Sequence, residues 1–131
     1  MIKLNDIGRT VRETVAPFEY TDPKTGKIVT EDIRVRYYSF TVAELKQMRA
    51  EAFAQQKAIR EGDEGKVQWL SGVLVGKLAE LPDILDAKNK PIAITEANLD
   101  KISVVNLTAI SHAIDRDLDP KRTAEIGRAH V

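Results

Sequence analysis

Residues 67–85, VQWLSGVLVGKLAELPDIL, form the most apolar stretch of the chain, and the fold turns on how they are read. At about 100° per residue, Val67, Leu70, Leu74, Leu78 and Leu81 fall within a sector roughly 80° wide, which predicts a central helix with one core-facing side. A second stripe lies opposite, formed by Trp69, Gly72, Val73, Gly76 and Glu80. A glycine inside a helix costs about 1 kcal/mol relative to alanine, so two on one side call for a close neighbour. Two neighbours fit. The helix is sandwiched and its glycines let a preceding helix approach closely, or the Trp69, Gly72, Val73 and Gly76 side receives the apolar segment of a partner, as in helix-in-groove recognition.

Working outward toward the N-terminus, residues 41–61 predict the preceding helix. Thr41 and Glu44 have the spacing of a capping box, with Phe40 and Leu45 placed to form a hydrophobic staple across it. The run that follows is rich in Ala, Gln, Lys and Arg, all strong helix formers, and it stops at Gly62. Its apolar side, Leu45, Met48, Ala52 and Ile59, is thin, which predicts a peripheral helix on a narrow seam. Residues 62–65, GDEG, then read as an acidic loop leading into the central helix.

Before that helix, residues 10–40 read as a β-hairpin. Two β-rich runs flank a turn containing Asp22, Pro23 and Gly26. Ile33, Val35 and Tyr37 alternate with Asp32, Arg34 and Arg36, so one face is apolar and the other charged. Pro17 lacks a backbone donor and demotes the first run to an edge strand or a strand with a bend. A two-stranded hairpin is marginal alone in water, so it must lean on the helices or on a neighbouring subunit. Tyr37, Tyr38 and Phe40 are the candidate residues for either role.

Past the central helix, Pro82 ends or kinks it, and residues 86–91, DAKNKP, form a turn. Ile92, Ala93 and Ile94 form a short extended piece able to make one backbone rung. Thr95 then caps a last helix whose apolar positions are Leu99, Ile102, Asn106, Ile110, Ala113 and Ile114, with Leu107 and Leu118 beside them. The expectation is an α+β fold, mainly α, in a single domain over residues 1–120: a hairpin at 10–40 and a bundle of about three helices at 41–120. Residues 121–131 read as a flexible tail.

Composition narrows the function. The 131 residues include 20 basic and 20 acidic side chains, spread so that no segment is strongly charged. Nucleic-acid binders draw much of their affinity from a basic face and counterion release, so the balance argues against that class. With no cysteine there is no disulfide scaffold, thiolate zinc site or cysteine nucleophile, and a reducing compartment fits. No apolar run approaches the roughly 18 residues of a membrane helix, and the N-terminus lacks a secretory core; a soluble intracellular protein is expected. The match of Asn106, Leu107 and Thr108 to a glycosylation acceptor carries no weight without export.

Motifs for chemistry fail one by one. Gly65-Lys66 resembles the end of a phosphate loop, but Arg60 stands where the first glycine belongs and Val67 where Ser or Thr is required. Asp115, Asp117 and Asp119 alternate like the start of a calcium loop, yet Pro120 and Ile126 occupy its glycine and glutamate positions. Asp83 and Asp86 read as loop and cap residues rather than an acid–base pair. His112 and His130 have no third metal ligand nearby. Ser71, Ser103 and Ser111 lack the surroundings of a nucleophile. A non-enzymatic protein without cofactor or metal is expected.

The order of elements is informative in another way. A charged hairpin is followed by the capped helix TVAELKQMRAEAF, an apolar segment ending LAELPDIL, the connection DAKNKPIAITEANLDKI and the last helix NLTAISHAI. Over residues 41–118 this order, with the rhythm from Pro82 to Asp100, resembles the tail assembly chaperones of long-tailed siphophages. The resemblance implies a small protein of the host cytoplasm that self-associates, binds the tape measure protein, helps recruit tail tube protein and is absent from the finished virion. Genes of that family often also make a longer product by ribosomal frameshifting. The alternatives are a small helical adaptor or regulatory interaction module and, with less support, a nucleic-acid binder.

Overall fold

A computed structural model of the chain describes residues 1–4, 9–63 and 69–118. The hairpin is strand β1 (Val11–Thr21) paired with strand β2 (Ile28–Tyr38) in one unbroken antiparallel register, Val11 opposite Tyr38 and Thr21 opposite Ile28. Its turn closes as the sequence predicts. Asp22 Oδ1 accepts from the Lys24 backbone N–H at 2.9 Å, and Gly26 takes a φ of 69°, which its missing Cβ permits. The predicted alternation holds: Ile33, Val35 and Tyr37 are buried, whereas Asp32 and Arg34 are exposed and Arg36 is half-buried.

Helix α1 (Val42–Arg60) begins on the predicted capping box, with Thr41 Oγ1 accepting from the Glu44 N–H and Glu44 from the Thr41 N–H, both at 3.1 Å. That backbone donor, with Arg9 alongside, holds the Glu44 carboxyl below its usual range. Gly62, at a φ of 71°, turns the chain out of the helix.

The central element departs from expectation. Instead of one helix over residues 67–85, the described part holds a short helix α2 (Leu70–Val75), a turn at Gly76 and Lys77, and strand β3 (Leu78–Glu80). Val67 and Gln68, with the rest of the expected loop at 64–66, lie outside the described residues. Only five residues separate Gly76 from Pro82, and a proline disfavours helical geometry at the residue before it, so a further helical stretch here would be too short to sustain itself without tertiary support. What the segment gains instead is sheet pairing. Tyr38 donates its N–H to the Lys77 carbonyl at 3.0 Å, and β3 runs antiparallel to β2 with Tyr37 opposite Leu78 and Arg36 opposite Glu80, across a register irregularity between Arg36 and Tyr37. The sheet order is β1-β2-β3. The predicted core stripe is still core: Leu74, Leu78 and Leu81 are buried and Leu70 packs against them.

The predicted last helix is likewise divided. Thr95 caps α3 (Glu96–Leu99), that helix ends at Asp100, and Ser103 Oγ accepts from the Asn106 N–H to start α4 (Val104–Leu118). Each start has its own capping hydroxyl, and Ser71 donates to the Asp100 carboxylate at the break. The extended piece makes its rung, with Ile92 N–H donating to the Ile84 carbonyl at 2.9 Å, and Asp86 holds the intervening turn by accepting from the Lys88 and Lys90 N–H groups.

The fold is therefore α+β, but the expected three-helix bundle is absent from the described residues. The core lies between the sheet's apolar face and α4, which contributes Leu107, Ile110, Ala113 and Ile114, and α2, α3 and the 81–94 loop close its end. The expected tail at 121–131 lies outside the described residues.

The open face of the sheet carries ion pairs. Arg36 bridges Glu13 at 3.0 Å and Glu80 at 3.3 Å across the three strands. Asp83 receives both the Arg34 guanidinium, at 2.7 Å, and the Arg34 backbone N–H, also at 2.7 Å, which lowers its pKa. A carboxyl depressed in the folded state stabilises it above the ordinary carboxylate range, and that contribution is lost as pH falls through the depressed value. Asp83→Asn is therefore expected to be less stable than the parent at neutral pH, with the gap closing in strong acid. Urea unfolding of both proteins across pH checks this, and a gap that widens toward low pH contradicts it.

Candidate groove between α1 and α2

Helix α1 stands off from the body. Ala58 is its buried residue, Leu45 and Met48 are half-buried, and Phe53 and Ile59 are 70% and 63% exposed. The space this leaves is an open groove of about 630 Å³. One wall is the α1 stripe Met48, Ala52, Gln55 and Ile59, spaced by four, three and four residues so that all lie on one side of the helix. The other wall is Gly72, Val73, Gly76 and Lys77, and Phe40 and Arg9 line it as well. Arg9 is held by Glu44 at 2.8 Å, with its guanidinium 5.4 Å from the Tyr38 ring centroid and 6.0 Å from that of Phe40, within cation–π range. Glu44, Gln47 and Glu51 add a polar border.

The sequence-derived candidates separate in this geometry. Gly72, Val73, Gly76 and Phe40 come together in the groove. Trp69 does not line it; it precedes α2, 77% exposed. Gly76 is not there to admit a neighbour. Among the described residues a Cβ built on it meets nothing nearer than the Val73 carbonyl at 3.8 Å, and the residue serves as the α2 C-cap. Among the two readings of the glycine stripe, close packing of α1 against Gly76 is thus absent. Of the two roles open to Tyr37, the core one is seen: it is fully buried, and its hydroxyl donates to Asp117. Tyr38 is half-buried. Sequence reasoning missed the α1 wall as a site, although the spacing of Met48, Ala52 and Ile59 was visible and was read as a packing seam.

The chemical candidates are not brought together. Asp83 is engaged by Arg34, Asp86 by its own turn, and Ser71 by Asp100; Gly65-Lys66, Asp119 and His130 lie outside the described residues. Among the described residues no cluster of three or more His, Asp or Glu side chains is placed to hold a metal ion, and no helix is long and apolar enough to cross a membrane. The groove offers apolar contact with a charged border, which suits binding a peptide segment. In comparisons with protein-family models, curated proteins and solved structures, no match to this chain was found.

Proposed function

We propose that this protein is a tail assembly chaperone of the long-tailed siphophage type, acting without enzymatic chemistry in the host cytoplasm. In this reading it holds an apolar helical segment of the tape measure protein in the groove between α1 and α2 and helps recruit tail tube protein. The resemblance of residues 41–118 supports the family. The groove supports the mode of action, and the observation that carries it is the apolar wall of Met48, Ala52 and Ile59 facing Val73 across open space. A buried side chain of this kind contributes about 1.5–3 kcal/mol, so a client helix seating three of them gains enough for a reversible grip once ordering costs are met. A chaperone that must release its client is served by that range.

The test uses the full chain and a tape measure fragment, with an unrelated coiled-coil protein as comparison. Ile59→Asp and Val73→Asp are expected to weaken capture of the fragment about threefold to tenfold each, as truncation of central apolar contacts does. Phe53→Asp, equally exposed on α1 but outside the groove, should leave capture unchanged, and circular dichroism should match the parent in all three. Equal capture of both clients, or equal loss from all three variants, sinks the reading in favour of an adaptor or a nonspecific apolar surface.

A further inference from the structure

The outer edge of β1 has a free segment whose length is set by the sequence. Ser39 donates its N–H to the Thr10 carbonyl and Asp22 donates to the Lys27 carbonyl, both at 2.8 Å, and the register between them is unbroken. Even-numbered residues of β1 therefore bond to β2, and odd-numbered residues direct N–H and C=O outward. Glu19 satisfies its outward pair on one side chain: Asn106 Oδ1 accepts from its N–H, and Asn106 Nδ2 donates to its carbonyl, both at 2.9 Å. Pro17 has no N–H to offer. Beyond Glu19 the strand ends at Thr21; on the other side of Pro17 lies the contiguous run Val11, Glu13 and Val15, whose outward backbone groups have no hydrogen-bond partner among the described residues. A row of this kind is a template for another strand.

We infer that a second copy of this chain occupies this edge, β1 pairing antiparallel with β1 about a twofold axis at Glu13. The segment is complementary to itself. In that register Val11 meets Val15 of the other copy, and both valines are half-exposed in the single chain. The outward N–H and C=O of Val11, Glu13 and Val15 then all find counterparts, and pairing stops where Pro17 lacks a donor. Glu13 meets Glu13, and each is paired with its own Arg36, which Glu80 also engages, so the repulsion across the axis is reduced. Helix α4 agrees with the same axis. It is tied to β1 at Asn106 beside Glu19 and at Asp117 beside Arg12, 3.8 Å apart in the latter pair, so the part of α4 level with Glu13 is near Asp115 and Arg116. These two border, with Ala109 and His112 of the same helix, the groove that α4 forms with Pro17 at this edge, and a twofold axis brings the acid of one copy toward the base of the other. The result is a continuous sheet across two copies.

Sedimentation of the full chain should give a dimer, and Val15→Pro should give a monomer with an unchanged far-ultraviolet circular dichroism spectrum, because the N–H it removes makes no bond among the described residues. Should that proline disturb the fold, the double variant Val11→Lys, Val15→Lys sets like charges opposite one another while keeping the backbone intact, and is expected to dissociate equally. Glu13→Cys supplies the chain's one thiol at the axis. Cα atoms of a hydrogen-bonded antiparallel pair are about 5.5 Å apart, within disulfide range, so mild oxidation should give a covalent dimer. Thr30→Cys, on β2, should not. A wild-type monomer at every concentration, a dimer unaffected by the Val15→Pro and double-lysine variants, or failure of Glu13→Cys to cross-link overturns the proposal. A chain that stays monomeric alone and binds only an added extended peptide assigns the edge to a foreign strand and overturns it equally.

Discussion

Tyr37→Ala is expected to lower the unfolding free energy by about 3–5 kcal/mol, the range for removing a buried aromatic side chain. Tyr37 is the largest fully buried side chain of the core. It sits on β2 where all the layers meet, with Arg12 opposite on β1, Leu78 opposite on β3 and Asp117 of α4 receiving its hydroxyl proton. Deleting it opens a cavity in the core beside Leu78 and also removes the hydroxyl that donates to Asp117. A domain of this size has a total stability of about 5–15 kcal/mol, so the loss is a large fraction of the whole. Tyr37→Phe separates the two contributions. It keeps the ring and removes only the hydroxyl, and because Asp117 retains Arg12 and partial solvent contact, a loss of about 1 kcal/mol is expected. Urea unfolding followed by circular dichroism measures both. If Tyr37→Ala left stability intact while dissociating an oligomer, the side chain would belong to an interface and not to the core.

The case of Tyr37 also indicates what was legible in the sequence. Alternation along β2 placed it on the apolar face correctly, because a period of two depends only on local geometry. The capping box at Thr41, the turn at Asp22 and Gly26 and the edge position of Pro17 were legible for the same reason: each is a short-range pattern with one physical solution. The conformation of residues 70–81 was not. Leu70, Leu74, Leu78 and Leu81 fit a helical sector, and they do share the core, but Leu78 reaches it from a strand and Leu74 from a helix. Periodicity reports which residues face inward over a stretch too short to separate the two geometries. The deciding interaction, Tyr38 N–H to the Lys77 carbonyl, spans residues far apart in sequence and has no local trace. The groove was half legible. Gly72, Val73 and Gly76 stand out in the sequence as a glycine-containing side of an apolar stretch, whereas the opposite wall on α1 shows only once the stand-off of that helix is known. Asn106 was counted among the apolar positions of the last helix because its spacing is that of a core residue, and nothing in the spacing reveals that it faces a strand edge.

Replacing Asn106 with Leu is expected to cost about 1–3 kcal/mol, the penalty for leaving a buried donor and acceptor without partners. Asn106 is 4% exposed, and its amide matches the Glu19 backbone as a neighbouring strand would, accepting from the N–H and donating to the carbonyl. Leucine keeps the volume and adds apolar area, so a purely hydrophobic account predicts a gain; the sign of the change discriminates the two. Asn106→Asp supplies a second, independent test. Its carboxylate can still accept from the Glu19 N–H, which favours the ionised form, but the facing Glu19 carbonyl and the burial of the site both favour the neutral acid, and together these two raise its folded pKa. A raised carboxyl pKa means that stability is retained at low pH, where the neutral acid donates to the carbonyl, and is lost as pH rises through the raised value. The aspartate variant should therefore approach the parent in acid and fall away from it toward neutrality, the reverse of the trend expected from Asp83. Asn106→Leu should also lengthen the unpaired edge of β1 by freeing Glu19, which raises the tendency to associate through strands. A leucine variant that is both more stable and no more prone to associate would show that the Asn106 amide neither satisfies the strand edge nor guards it.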